Sequence, residues 1–127
     1  MRIEHVAIWT RDLERPKSFY ETYFEVTAGS RYTSTKRPFE SCFLSFASGA
    51  RLELMRLPDL ADADHGRNIV GLAHLALSTG SLEAVDALTR RLSADGHTVV
   101  DGPRATGDGY YESVALDPDG NRIELTV

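Results

Sequence analysis

The stretch IEHVAI at residues 3–8 returns as LAHLAL at residues 72–77, so a histidine recurs in the same apolar frame. The two histidines are His5 and His74, and their offset is 74 − 5 = 69 residues. A second match joins RLEL at 51–54 to RIEL at 122–125, with an offset of 124 − 53 = 71 between the glutamates. Because the offsets of these two separate matches agree to within about two residues, the sequence indicates a tandem duplication.

The first half reads as a strand, a helix and three strands. Residues 3–10 alternate like a strand, Asp12 can cap the following helix, and Phe19 and Tyr20 mark the apolar face of that helix. Strand-like runs follow at residues 27–32, 42–46 and 51–57.

The second half repeats this order. Residues 72–78 read as a strand, and leucines at helical spacing from Leu82 to Leu92 predict a helix that Gly96 can end. The last three predicted strands cover about 97–100, 110–116 and 122–127. We therefore expect an α+β fold of two tandem βαβββ units, about residues 1–57 and 71–127, in one domain over 1–127. A polar connector at about 58–70, which includes His65, joins the units.

Composition narrows the classes of function. The 127 residues carry a net charge of −5, which disfavours nucleic acid and anionic membranes as partners, because both attract clustered Lys and Arg. The chain has no run of eighteen apolar residues that would predict a membrane span. The single cysteine, Cys42, cannot form an internal disulfide. We expect a cytoplasmic protein with a small-molecule substrate.

Four polar side chains fall on the face of the strands that the helices should leave open. Alternation places Val6 and Ile8 under the first helix, and His5 on the opposite face together with Ala7 and Trp9. The same argument places Leu75 and Leu77 under the second helix and His74 opposite. The glutamates Glu53 and Glu124 are each flanked by apolar residues, so they also face away from the helices.

Taken singly, each of these residues is explained by the solvated face of a sheet. As a matched set, the two imidazoles and two carboxylates balance the charge of a divalent cation. Nitrogen and oxygen ligands suit Zn, Ni, Co, Fe or Mn, and the lack of thiolates points away from a closed structural zinc site. The sequence thus predicts one divalent metal ion bound by four residues, His5, Glu53, His74 and Glu124.

The chain resembles the vicinal oxygen chelate superfamily, which includes glyoxalase I, extradiol dioxygenases, bleomycin-resistance proteins and methylmalonyl-CoA epimerase. The resemblance covers essentially the whole chain and rests on the segments 3–7, 12–13, 19–20, 52–54, 71–76 and 117–125. It implies that the two units form a cupped mixed sheet around a central metal site, and that the protein is a homodimer.

Within this superfamily, the His, Glu, His, Glu pattern is most similar to glyoxalase I, the lactoylglutathione lyase. The resemblance implies that a 2-oxoaldehyde hemithioacetal chelates the metal through adjacent oxygens. It also implies that Glu124, with Glu53 as its counterpart, moves a proton between adjacent carbons as catalytic base and acid. Where glyoxalase I has an arginine that holds glutathione, this chain has Trp9, so glutathione stays open as a cosubstrate. The glycine expected after the first helix is replaced by Glu25.

Two other functions stay open beside a glyoxalase-like lyase or isomerase. One is a different enzyme on the same scaffold, such as an epimerase or a dioxygenase, in which one glutamate is not a ligand. The other is a binding protein that sequesters a small molecule without catalysis, as the bleomycin-resistance relatives do.

Overall fold

The computed structural model describes residues 1–62, 68 and 70–127. Contacts group the chain into two compact units, Met1–Ala63 and Asp64–Val127, and each is described by itself. The single domain over 1–127 stays a prediction. His65 and part of the predicted connector lie outside the described residues.

The first unit contains one helix and five strands. Its elements are β1 His5–Thr10, α1 Glu14–Tyr23, β2 Thr27–Ala28, β3 Tyr32–Thr33, β4 Glu40–Ser45 and β5 Arg51–Arg56. The sheet has the order β1-β5-β4-β2, and β3 also pairs with β4. Strands β1 and β5 are parallel, whereas the pairs with β4 are antiparallel.

The core face of this sheet follows the predicted alternation. Ile8, Leu52 and Leu54 are buried, and so are Phe19 and Tyr20 of α1. The carboxylate of Asp12 accepts a hydrogen bond from the backbone N–H of Glu14 at 3.0 Å, but the N-cap position is Leu13 and not Asp12 as predicted. The strand predicted over 27–32 is divided into two short strands.

The second unit contains one helix and four strands. Its elements are β6 Leu75–Ser78, α2 Leu82–Ala94, β7 Val99–Ala105, β8 Tyr111–Leu116 and β9 Arg122–Thr126. The sheet order is β6-β9-β8-β7, with β6 and β9 parallel. The hydroxyl of Ser81 accepts from the backbone N–H of Ala84 at 3.1 Å and caps α2, and Gly96, with φ +87°, follows its end.

The core of the second unit is centred on β9 and α2. Ile123 and Leu125 are fully buried with Val85 and Leu92. Leu75 is only half-buried, and β6 begins at this residue, so His74 directly precedes the strand instead of lying within it.

The predicted α+β class and the two βαβββ units are confirmed, since each unit has one helix and a mixed sheet. Among the described residues, no helix has the length and apolar character needed to cross a membrane.

Candidate metal and substrate site

His5 and Glu53 face each other across the parallel strands β1 and β5. The Nε2 atom of His5 lies 3.7 Å from Oε2 of Glu53. The His5 side chain is 40% exposed and that of Glu53 is 14% exposed. Both belong to the open face of the first sheet, which we define as the face opposite the buried leucines Leu52 and Leu54. An imidazole nitrogen and a carboxylate oxygen are therefore held together at an accessible surface.

The surroundings of His5 fix the orientation of its ring. Its Nδ1 atom lies 2.5 Å from Oε2 of Glu4, and Arg51 donates a hydrogen bond to the other oxygen of that carboxylate. Both hydrogen bonds lower the pKa of Glu4, and the one from His5 has the larger effect. The ring of Phe43 meets the imidazole edge-on, with centroids 5.4 Å apart, and the Arg51 guanidinium lies 4.0 Å from the Phe43 centroid. Sequence patterns did not single out Glu4 or Arg51.

His74 and Glu124 form the corresponding pair in the second unit. The distance from His74 Nε2 to Glu124 Oε2 is 3.4 Å, and the side chains are 41% and 15% exposed. The two pairs thus have similar distances and nearly equal exposure, although they belong to different units.

The two pairs also share one strand register. Ala7 is the Cα partner of Glu53 in the β1–β5 ladder, and Ala76 is the Cα partner of Glu124 in the β6–β9 ladder. In each case the alanine lies two residues after the histidine. The duplication inferred from the sequence therefore extends to the geometry of both pairs.

The four side chains suit a divalent cation by their chemistry, since each pair offers one nitrogen and one oxygen donor on an open face. Within residues 1–62, 68 and 70–127, no group of three or more His, Cys, Asp or Glu side chains converges on a possible metal position. The four-residue metal site stays a prediction.

The first unit has further aromatic and charged side chains outside the His5–Glu53 pair. On the open face of the first sheet, Trp9 meets Phe39 edge-on with centroids 6.5 Å apart. Arg56 is directed elsewhere, because it donates to Glu40 at 2.8 Å and to the backbone carbonyl of Arg11 at 3.0 Å.

In the second unit, two side chains near the β7–β8 loop are held by neighbours. Tyr111 donates to Asp86 of α2 at 2.7 Å, and this hydrogen bond raises the pKa of the phenol. Arg104 is bound by Asp101 at 2.8 Å and by Glu112 at 3.2 Å. Asp101 accounts for most of the rise in the pKa of Arg104.

Comparison with known proteins gives one family. The model described as Glyoxalase/Bleomycin resistance protein/Dioxygenase superfamily matches residues 2–125. The chain is 27% identical over 127 residues to "Uncharacterized protein YqjT" of Bacillus subtilis (strain 168), covering 97% of this chain and 96% of that protein.

Solved structures agree in fold. A glyoxylase/bleomycin resistance protein/dioxygenase domain from Frankia sp. EAN1pec has a TM-score of 0.83 at 19% identity, covering 100% of this chain and 97% of that one. A mutant glyoxalase I from Zea mays has a TM-score of 0.81 at 22% identity, covering 98% of this chain and 44% of that one. Because the family model spans nearly the whole sequence, the chain belongs to the glyoxalase/bleomycin resistance protein/dioxygenase superfamily.

Proposed function

We propose that the chain is a metal-dependent lyase or isomerase of the glyoxalase type, whose small substrate chelates the metal through two adjacent oxygens. The observation that carries this proposal is the equivalence of the two His–Glu pairs. They share the same register and similar Nε2–Oε2 distances of 3.7 Å and 3.4 Å. A sheet that only needed polar residues on its solvated face would not require the same two residue types at the same positions of both repeats.

The four ligands of the proposed site are His5, Glu53, His74 and Glu124. Their two carboxylates neutralise a divalent ion, and their mixed donors suit Zn, Ni, Co, Fe or Mn. When bound, such an ion supplies Lewis-acid polarisation of the substrate oxygens. These four residues would hold the ion, and the substrate would bind it through its two adjacent oxygens.

The carboxylates also have a second role in the proposal. Glu124 removes a proton from one substrate carbon as a base and returns it to the adjacent carbon as an acid, with Glu53 on the opposite repeat as its counterpart. Both side chains are largely buried, at 15% and 14% exposure, which limits exchange of the transferred proton with water.

The proposal extends to the physiological context. Glutathione is a candidate cosubstrate as the hemithioacetal of a 2-oxoaldehyde. We further propose that the protein works in the cytoplasm as a homodimer.

The test is elemental analysis of purified wild type and His74→Ala, with turnover of the methylglyoxal–glutathione hemithioacetal measured on the same samples. We expect one equivalent of a divalent metal and turnover in wild type, with both lost in the variant. His97→Ala serves as the control, since His97 lies outside both pairs. Bound metal without turnover would retain the site and reject this substrate, which favours an epimerase or dioxygenase. Failure to bind metal after reconstitution would reject the proposal and favour a binding protein.

A further inference from the structure

The open face of the first sheet becomes apolar with distance from the His5–Glu53 pair. Trp9 is on β1 four residues after His5, and alternation places both side chains on this face. Trp9 is the Cα partner of Met55, as Ala7 is the partner of Glu53. At a strand rise of about 3.3 Å per residue, the Cα atoms of His5 and Trp9 are about 13 Å apart.

We propose that Trp9 is a specificity-determining residue that binds an aromatic or branched apolar group of the substrate. This inference rests on the proposed function, because it concerns the part of the substrate that extends from the chelating oxygens. Between the two positions lies the small, exposed side chain of Ala7, which leaves space for a connecting chain.

The indole of Trp9 contacts a buried ring and is partly exposed. Phe39, only 8% exposed, meets it edge-on at an interplanar angle of 86°. The guanidinium of Arg37 lies 4.4 Å from the Phe39 centroid. Trp9 itself remains 46% exposed. A rigid aromatic surface with a buried support is suited to stacking against a ligand.

The second repeat shows that the fold does not require an aromatic residue at this position. With the histidine offset of 69, Trp9 corresponds to Ser78, which lies at the end of β6. With the glutamate offset of 71, Met55 corresponds to Thr126, and Ser78 and Thr126 are again Cα partners. The same pair of ladder positions is therefore polar in one sheet and apolar in the other. An aromatic residue at the position of Trp9 is thus not needed to form the sheet.

The expected substrate class follows from these distances. It presents two adjacent oxygens at one end, and carries a phenyl-sized or branched apolar group on a linker that spans much of the separation of about 13 Å. A substrate with only a methyl substituent would leave Trp9 without a contact.

The test uses two hydroxamic acids, which present the same pair of oxygens and differ only in the tail. Acetohydroxamic acid carries a methyl group, and 6-phenylhexanohydroxamic acid carries a phenyl ring on an extended alkyl linker. Affinities for the zinc-loaded protein are measured by calorimetry. Trp9 is the only tryptophan in the chain, so its fluorescence reports binding directly in wild type.

We expect the phenyl probe to bind wild type about tenfold more tightly than the methyl probe, and to change the Trp9 emission. Trp9→Ala should abolish this preference while the affinity for the methyl probe stays the same, and Trp9→Phe should retain most of it. Ser78→Ala is the matched control and should leave both affinities unchanged. Equal affinity of wild type for both probes, or a preference that survives in Trp9→Ala, would overturn the inference alone. Failure of both probes to bind would overturn the proposed function together with it.

Discussion

The Nδ1 atom of His5 lies within 2.5 Å of the Glu4 carboxylate, although the two residues are neighbours in sequence. An ionised carboxylate only accepts hydrogen bonds, so Nδ1 donates to Glu4, while Nε2 lies 3.7 Å from Oε2 of Glu53. Arg51 holds the same carboxylate in place. The residue before His74 is Ala73, so only the first histidine has an acidic residue at this position.

Removing this support should weaken metal binding without unfolding the protein. We expect Glu4→Leu to reduce zinc affinity by about 10- to 100-fold, because the ring of His5 loses its fixed tautomer and orientation. Glu4→Gln should retain much of the affinity, since its amide oxygen still accepts from Nδ1. The measurement is competition with a chromophoric chelator. Glu14→Leu, which removes another exposed carboxylate paired with an arginine, is the control. Equal affinities of Glu4→Leu and wild type would contradict the prediction.

Substituting Glu124 tests its proposed role as both ligand and base. Glu124→Gln should lose measurable turnover and keep the thermal midpoint, because the amide cannot accept the proton and is a weaker ligand. Activity assays, elemental analysis and thermal unfolding on one preparation provide the readout. Glu83→Gln, in the first turn of α2, should behave as wild type in all three. Full activity in Glu124→Gln would rule out the catalytic role.

Stability should depend on which leucine of the second sheet is shortened. Leu125 is fully buried, and Leu125→Ala should reduce the free energy of unfolding by about 2–5 kcal/mol. Leu75 is half-buried, so Leu75→Ala should have a smaller effect. Urea titrations followed by circular dichroism compare the two variants. A larger loss for Leu75→Ala would mean that β6 packs more tightly than its exposure indicates.

The end of α1 offers a stabilising substitution. Glu25 has φ +52°, a left-handed conformation that costs a non-glycine residue about 1–2 kcal/mol. Glu25→Gly should therefore raise the free energy of unfolding by about 1 kcal/mol. The corresponding position after α2 is already a glycine, Gly96 at φ +87°, and Gly96→Ala should destabilise the protein. Chemical denaturation of both variants gives opposite signs if the backbone conformation is responsible.

Cys42 should make stability depend on alkaline pH. Burial raises the pKa of its thiol, whose sulfur donates to the Gly29 carbonyl at 3.2 Å. Above the usual thiol pKa of about 8.5, the unfolded chain loses this proton while the native state keeps it, so stability falls as pH rises. When urea unfolding is compared at about pH 7 and about pH 9, the free energy of unfolding of Cys42→Ala should decrease less than that of wild type. Parallel pH profiles of the two proteins would exclude the contribution.

Residue alternation was sufficient to predict the faces of β1, β5 and β9. Ile8, Leu54 and Ile123 are buried while His5, Glu53 and Glu124 lie opposite, because the period of a strand is set by the backbone alone. The repeat offsets of the histidines and the glutamates also implied that the two His–Glu pairs share one register. Insertions between the histidine and the glutamate of a repeat lengthen the segment that joins the paired strands, but they do not change the pairing of those strands.

Irregular backbone was harder to predict. The sequence predicted a strand over about 97–100, yet β7 runs from Val99 to Ala105 with shifts of register. Gly102 lies so close to β8 that a Cβ atom there would be 2.5 Å from the carbonyl oxygen of Glu112, so a glycine is needed for this pairing of β7 with β8. The Glu4–His5 contact was also missed, because alternation separates neighbours within a strand and Glu4 lies just before β1.

The parallel pairing of the first and last strands has a consequence for synthesis on the ribosome. Strand β1 lacks its ladder partner until β5, the final strand of its unit, has been translated, and β6 waits in the same way for β9. Neither sheet can be completed gradually from its amino-terminal end, so each half should acquire its fold in one late step after its closing strand leaves the exit tunnel. In a nascent chain the first half would then be complete while the second is still being made.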